Sequence, residues 1–320
     1  MQAVLDAHAD GDLIALTTSG STGTPRRVVR TTDSWVSSFG HVAELTGLGN
    51  RSRLWLPGPL TSTMNLFAAV HAAFVGATTT TSPEGMTHAQ LTPAALGRCL
   101  DHGTELGGVH VVVAGDRLEP ALFERATGAG ARVSHYYGAA ELSFVAWGSH
   151  ADNLQPFPEV ETFSRDEVLW VRSPYLCHGY DGASGPFRTG PDGFATVGDR
   201  GAVINGIVRV WGRGDAAVTT AGTTVLVADV ERVLRPAVAG EVVVVGLPHP
   251  ELGQVVAAVL TDATSFNAAR SAARSELADT HRPRRWFLVT DLPLSPAGKV
   301  DRAALVTLLV SPDRAARRLV

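Results

Sequence analysis

The sequence predicts an α/β protein in two parts: mixed sheets with helices and a β-rich subdomain over residues 1–214, then a small α+β module over residues 215–320. Three observations lead there. Apolar, strand-like runs alternate with helix-like stretches through the first half of the chain. Short alternating runs joined by Gly-rich turns follow in the middle. From about Asp215 the pattern changes again, to helix, two strands and helix.

Taken in order, Leu13-Ile14-Ala15-Leu16 reads as a short buried strand. The stretch LTTSGSTGTPRR that continues it is interrupted by Gly20, Gly23 and Pro25, so it cannot hold regular structure for long. It is either a surface turn or a flexible loop that wraps polyphosphate with backbone N–H groups, hydroxyls and a cation. RLWLPGPL (53–60) is a strand broken by Pro57 and Pro59, and LFAAVHAAFVGA (66–77) has helical composition and stops at Gly76. GVHVVVAGD (108–116) is a continuous apolar strand ending in a Gly-Asp turn, the appearance of a parallel strand covered on both faces. PALFERATGAGARVSHYYGAAE then reads helix, turn, strand, loop, and EVLWVRSPYL, FATVGDRGAVI and GIVRVWGR read as short strands. A boundary is expected at Gly214–Asp215. Beyond it Val227, Val230, Val233 and Leu234 fall at helical spacing, EVVVVGLP and VVAAVL read as strands, and NAARSAARSELAD reads as a helix.

Composition narrows the functional classes. The chain has 320 residues, which sets two domains as the prior. It is 45% hydrophobic, enough apolar material for a sizeable core. A net charge of -4 argues against nucleic acid, which needs a basic face. Cys99 and Cys177 are far apart with no CxxC, so packing residues are expected rather than a zinc site or a disulfide framework. The acidic start, MQAVLDAHADGD, does not read as a signal peptide, and no apolar run approaches the ~20 residues of a membrane helix. A cytoplasmic protein without membrane contact is expected.

Familiar phosphate loops are excluded, since Gly23 is followed by Thr24-Pro25-Arg26 and Gly298-Lys299 by Val300. No GxSxG elbow is present, and the histidines lack metal-ligand spacing. A different set of segments occurs in order: TTSGSTGTPRR (17–27), YYGAAE (136–141), DGFATVGD (192–199), VWGRGDAAVTTAGTTVLVADVE (210–231), GLPHPELGQVVAAVL (246–260) and LPLSPAGKVDRAAL (292–305). Together they resemble adenylate-forming enzymes, the family of acyl-CoA synthetases, luciferases and nonribosomal-peptide adenylation domains. The family's fold and a mobile C-terminal domain carrying a catalytic lysine are then expected.

The resemblance implies ATP-dependent activation of a small carboxylic acid to an acyl-adenylate, then transfer to a thiol, coenzyme A or a carrier protein's phosphopantetheine. Thr18, Ser19, Gly20, Ser21, Thr22, Gly23 and Arg26 would cradle the β- and γ-phosphates. Glu141 would hold Mg²⁺, and Tyr137, beside Gly138, would stack on adenine. Asp199 would accept the ribose hydroxyls, as suits a carboxylate with two oxygens. Arg213 would contact the ribose–phosphate side, Asp215 would be the hinge, and Lys299 would bridge carboxylate and α-phosphate. Gly115 and Asp116 fit an adenine-side turn or a plain turn equally. Surface cations would hold the coenzyme A 3′-phosphate, and Arg26, Arg27 and Arg30 are near one another in the sequence, with their orientation left open.

Departures from the family pattern are equally specific. Arg26 stands for the loop lysine, a planar fork in place of a compact ammonium. Ala140 and Val197 stand for threonines, and LTSTMN lacks the histidine or aromatic usual near Thr61. Arg26 and Ala140 favour a degenerate nucleotide-binding homologue without turnover; Glu141, Asp199, Arg213 and Lys299 oppose it. Family members normally carry a large subdomain before the phosphate loop, whereas 16 residues precede Thr17 here. A truncated N-terminal domain is therefore expected, with a homodimer as one means of covering what it exposes. Short forms of this kind most resemble compact o-succinylbenzoate–CoA ligases.

Overall fold

The computed structural model describes residues 1–18, 26–182, 185–213, 217–295, 298–311 and 316–320. The chain divides into two units, one of residues 1–210 with 296–299 and one of residues 211–295 with 300–320.

The first unit opens with helix α1 (Gln2–Asp10), strands β1 (Leu13–Thr18) and β2 (Arg26–Thr31), and helices α2 (Asp33–Val36) and α3 (Phe39–Thr46). Strands and helices then alternate: β3 (Arg53–Trp55), α4 (Thr63–Phe74), β4 (Thr78–Thr80), β5 (His88–Leu91), α5 (Pro93–Asp101), β6 (His110–Val113), α6 (Pro120–Gly128) and β7 (Arg132–Ala139). The β-rich stretch comprises β8 (Ser143–Gly148), β9 (Gln155–Pro156), β10 (Glu161–Arg165), β11 (Val168–Arg172), β12 (Gly179–Tyr180), β13 (Arg188–Thr189), β14 (Ala195–Thr196), β15 (Asp199–Ile204) and β16 (Ile207–Arg213).

A seven-stranded sheet ordered β4-β3-β5-β6-β7-β8-β9 is its centre. β5, β6 and β7 run parallel, pairing His88 with His110 and Val111 with Val133. Every residue of β5 and β6 is buried, because α3 and α4 lie on one face and α5 and α6 on the other. This is the covered parallel strand that the run 108–116 predicts. Pro93 starts α5 and the Thr92 hydroxyl caps it, accepting from the Ala95 amide at 3.2 Å. Gly76, at φ 76°, follows α4 where the sequence places the stop. β1, β2 and β12 form a separate three-stranded sheet, and β13-β14-β11-β15-β16, with β10 on β11, a third.

In the second unit β17 (Ala217–Thr220), β18 (Thr223–Leu226), α7 (Val227–Leu234), β19 (Val242–His249), β20 (Gly253–Leu260), α8 (Phe266–Glu276), β21 (Arg285–Leu288), α9 (Arg302–Val310) and β22 (Arg317–Leu319) surround one sheet. Alternation along β19 sends Val242 and Val244 to the core under α7 and α8, and Val243 and Val245 to the one that includes Leu305 of α9. Val227, Val230 and Leu234 form the buried stripe of α7, with Val233 at its margin. Both cysteines are buried and unpaired, and burial pushes the Cys177 thiol up to about 11, as suits packing residues. Among the described residues no helix is long and apolar enough to cross a membrane.

Candidate active site

Four of the predicted segments meet around the carboxyl ends of the parallel strands and the β1–β2 hairpin. Register pairs Thr18 with Arg26, and the Thr18 hydroxyl donates to the Arg26 carbonyl at 3.4 Å. The two residues therefore form the mouth of the hairpin. Ser19, Gly20, Ser21, Thr22 and Gly23 lie outside the described residues, as do Gly214, Asp215 and the side chain of Arg213. The backbone of Arg213 ends β16.

Tyr137 and Gly138 sit near the end of β7, where the strand shifts register against β8. Gly138 is required there: a Cβ would come 2.2 Å from the Ser143 carbonyl oxygen. The shift leads into the turn that presents Glu141, a buried carboxylate, 5% exposed, rather than a solvated loop end. One Glu141 oxygen accepts from the Tyr180 hydroxyl at 2.7 Å, while that hydroxyl accepts from the Phe187 amide at 3.1 Å. Burial, together with the bond to Glu141, holds the Tyr180 phenol well above its ordinary pKa, so it remains a donor. Across from it, the Tyr137 hydroxyl donates to Asp199 at 2.7 Å. Asp199 is buried at the first position of β15. A half-buried ring and a carboxylate thus stand side by side.

Gly115 follows β6 at φ 90°, with Asp116 next to it. A Cβ on Gly115 would lie 3.5 Å from Thr92 Cγ2 and 3.8 Å from both Met64 Sδ and Lys299 Cε. Gly298 approaches Thr92 more closely, its Cβ position being 3.0 Å from Thr92 Oγ1. Gly298 and Lys299 thereby belong to the first unit, and Lys299 is brought to the strand ends beside Gly115. Asp116 is exposed, and its side chain accepts from the Arg117 amide at 2.8 Å.

The orientation left open for the three arginines is decided for Arg30, which is fully buried and is no surface cation. Its guanidinium donates to Ser34 Oγ at 2.9 Å, to the Ala140 carbonyl at 3.0 Å and to the Tyr175 carbonyl. Arg30 is on the inward-facing side of β2, alternating with the exposed Arg27, whose partner is Asp181 at 2.8 Å. Burial lowers the Arg30 pKa to about 10, opposed by nearby Cys177 and Glu141, which leaves it charged near neutrality.

Sequence reasoning missed Tyr180, Thr92 and Met64, whose neighbours in the site come from distant segments. It also missed a cavity of about 30 Å³ between α3, α4 and the central sheet. Leu54, Phe67, Val112, Phe144 and Trp147 wall it, with His71, His88 and Gln90 as polar neighbours.

Residues 5–180, more than half of the chain, match the family model described as AMP-binding enzyme, and residues 230–299 match the AMP-binding enzyme C-terminal domain. The chain belongs to the AMP-binding enzyme family. It is 28% identical to a 2-succinylbenzoate–CoA ligase of Salmonella typhimurium, over 92% of this chain and 68% of that one. To the uncharacterized acyl–CoA ligase YhfT of Bacillus subtilis it is 26% identical, over 89% of this chain and 66% of that one. Among solved structures, an E. coli MenE variant with bound OSB-AMS superposes with a TM-score of 0.75 at 26% identity, covering 92% of this chain and 68% of that one. The chain spans about two thirds the length of these relatives.

Proposed function

We propose that this protein uses ATP to convert a small carboxylic acid to an acyl-adenylate and transfers the acyl group to a thiol, with coenzyme A as the acceptor. The observation that carries this reading is the Tyr137–Asp199 pair, a ring and a carboxylate joined at 2.7 Å beside the strand ends. Such a pair suits a nucleoside: the ring stacks on the base, and the fixed carboxylate accepts from the ribose hydroxyls.

In the first step an oxygen of the acid's carboxylate attacks the α-phosphorus, and the bond from that phosphorus to the bridging oxygen breaks, releasing pyrophosphate. In the second the thiol sulfur attacks the acyl carbon, AMP leaves, and the thiol proton passes to solvent. Charge builds on an anionic phosphate during the first step, so a cation positioned before reaction is worth most there. Lys299 beside Gly115 supplies that cation, Thr18 and Arg26 frame the phosphate-side hairpin, and Arg213 serves the ribose–phosphate side.

Glu141 suits Mg²⁺. The Tyr180 hydroxyl takes one of its oxygens, and no group of three or more His, Cys, Asp or Glu among the described residues makes a complete protein cage. A single carboxylate supplemented by substrate phosphates and water is an ordinary Mg²⁺ arrangement. When bound, the ion neutralises phosphate charge; Glu141 anchors it.

Ala140 favours a second reading, nucleotide binding without turnover, since it lacks a hydroxyl donor near the phosphates. Acid-dependent exchange of labelled pyrophosphate into ATP, with Mg²⁺ and a panel of aryl and short aliphatic acids, separates the two. Exchange with one acid class supports adenylation. ATP binding with no exchange for any acid sinks it. Supplying coenzyme A or a phosphopantetheinylated carrier protein to the exchanging system then identifies the acceptor.

A further inference from the structure

Among the buried residues of α7, Glu231 alone is charged; it is 3% exposed, on the helix that buries Val227, Val230 and Leu234. A carboxylate in such a place costs free energy unless its oxygens are bonded. Its bonds are specific. Oε1 accepts from the Val244 amide at 2.8 Å and from Arg302 Nη1 at 2.8 Å. Arg302 Nη1 donates as well to the Val244 carbonyl at 2.7 Å. Oε2 accepts from Arg235, four residues further on, at 3.5 Å. Among the described strands β19 pairs with β20 alone, so its other edge carries no strand. At Val244 the Glu231–Arg302 pair closes that edge, taking the amide and the carbonyl that a further strand would take.

Arg302 is the first residue of α9, three positions after Lys299. The same stretch is held at two further points. Leu294 bridges Val300, and the Asp301 amide donates to the Pro293 carbonyl at 2.8 Å. Asp301 also caps α9, accepting from the Ala304 amide at 2.9 Å. The chain leaves the second unit after Ser295 and rejoins it at Val300, so residues 296–299 are a short span fastened at both ends. Lys299 is the last residue of that span, and its Cε stands 3.8 Å from the Cβ position of Gly115.

Resting on the adenylation reading, we infer that Glu231 and Arg302 are positioning residues for Lys299, acting through the first turn of α9. A buried ion pair is a poor device for stability alone, since apolar side chains of similar volume are often as good or better. A valine or leucine at 231 would continue the buried stripe of α7. What the pair supplies is direction. Arg302 reaches Oε1 and the Val244 carbonyl together only when α9 starts at one place on β19, and that fixes the residue three positions before it. An error of about 1 Å in the placement of a reacting group can cost on the order of 10²-fold in rate. Neither residue is placed in the proposed nucleotide site, so the effect is confined to the half-reaction that uses Lys299.

The test compares wild type, Arg302→Met, Glu231→Gln and the double variant in the two half-reactions separately. Arg302→Met is expected to lower the kcat of pyrophosphate exchange about 10- to 100-fold, with KM for ATP within about threefold. Thioester formation from pre-made adenylate should stay within about threefold of wild type. Glu231→Gln keeps the shape and the Val244 bond but not the charge, and should lose about 3- to 10-fold in exchange alone. It carries the same comparison should Arg302→Met not fold. The double variant should fall little below Arg302→Met, because the two side chains act as one unit. A second readout needs no turnover. Lys299 is the only lysine of the chain, so reductive methylation with isotope-labelled formaldehyde marks it and the α-amine alone, and keeps the charge. ATP with Mg²⁺ should move the wild-type Lys299 methyl resonance, and move it roughly half as far or less in Arg302→Met and Glu231→Gln. Equal losses in both half-reactions, additive losses in the double variant, or the same resonance shift in wild type and variants overturn the positioning role. A wild-type resonance that ATP does not move overturns it too. No exchange with any acid, with the resonances behaving as expected, supports the placement of Lys299 by this pair and overturns adenylation.

Discussion

At the scale of single residues, the proposed site separates groups that act on one half-reaction from groups that act on both. Lys299 lies on the short segment counted with the first unit, and its proposed task concerns the α-phosphate alone. Lys299→Ala is therefore expected to lower acid-dependent pyrophosphate exchange by at least ~10²-fold. Thioester formation from pre-made adenylate and ATP binding should stay within a few-fold of wild type. Single-turnover measurement of each half-reaction checks this, and equal loss in both would remove the lysine from its role. Tyr137 serves differently. Tyr137→Phe keeps the ring but deletes the donor to Asp199, a neutral-to-charged bond worth ~1.5–3 kcal/mol. With solvent able to reach part of the site, a rise in KM for ATP of about 3- to 30-fold is expected, with a smaller change in kcat. Steady-state kinetics with ATP varied decides it.

At the scale of elements, Arg30 fastens three pieces: β2, the turn preceding Glu141, and the segment at Tyr175 that leads to β12. Its replacement tests whether that fastening positions the metal-side carboxylate. Arg30→Lys keeps a charge but has no fork to reach two carbonyls and a hydroxyl at once. Loss of about 2–4 kcal/mol in urea unfolding is expected, together with a weaker dependence of exchange on Mg²⁺. Unchanged stability would contradict the buried geometry. The same residue shows where the sequence could be read and where it could not. A run such as HVVV announces a strand covered on both faces, because period and composition are local properties. YYGAAE announces a strand end and a turn for the same reason. Whether Arg30 faces inward depends on the phase of β2 relative to its core, and arginine side by side with Arg26 and Arg27 carries no local mark of phase. Tyr180 was illegible on other grounds: it is 39 residues from the Glu141 it bonds, so its relation to the site exists only after β12 pairs with β2. His71 sits in a run whose helical composition was plain; that its buried Nε2 has no partner among the described residues became visible only once Phe39 was packed against it.

At the scale of the whole molecule, the buried histidines couple folding to pH. Burial lowers His71 and His135 to about 4, against an ordinary value of 6.5, with backbone bonds to Phe39 and Val113 opposing the shift. Burial lowers His88 and His110 in the same direction. A histidine depressed in the folded chain binds fewer protons there than when unfolded. Stability from this source is therefore complete above pH 6.5 and is lost as pH falls toward 4. At 1.36 kcal/mol per pKa unit, His71 and His135 each forgo on the order of 2 kcal/mol between pH 7 and pH 5. For a protein of ordinary marginal stability that is a large share of the total. Urea unfolding at pH 7.5, 6 and 5 should show the midpoint falling steadily across this window, with little change between pH 7.5 and 7. His71→Leu removes one titrating group and should flatten the slope by about 1 kcal/mol per pH unit at most, while the His135 contribution remains. A midpoint that held constant down to pH 5 would mean that these imidazoles protonate in place, with folded pKa values near the ordinary one.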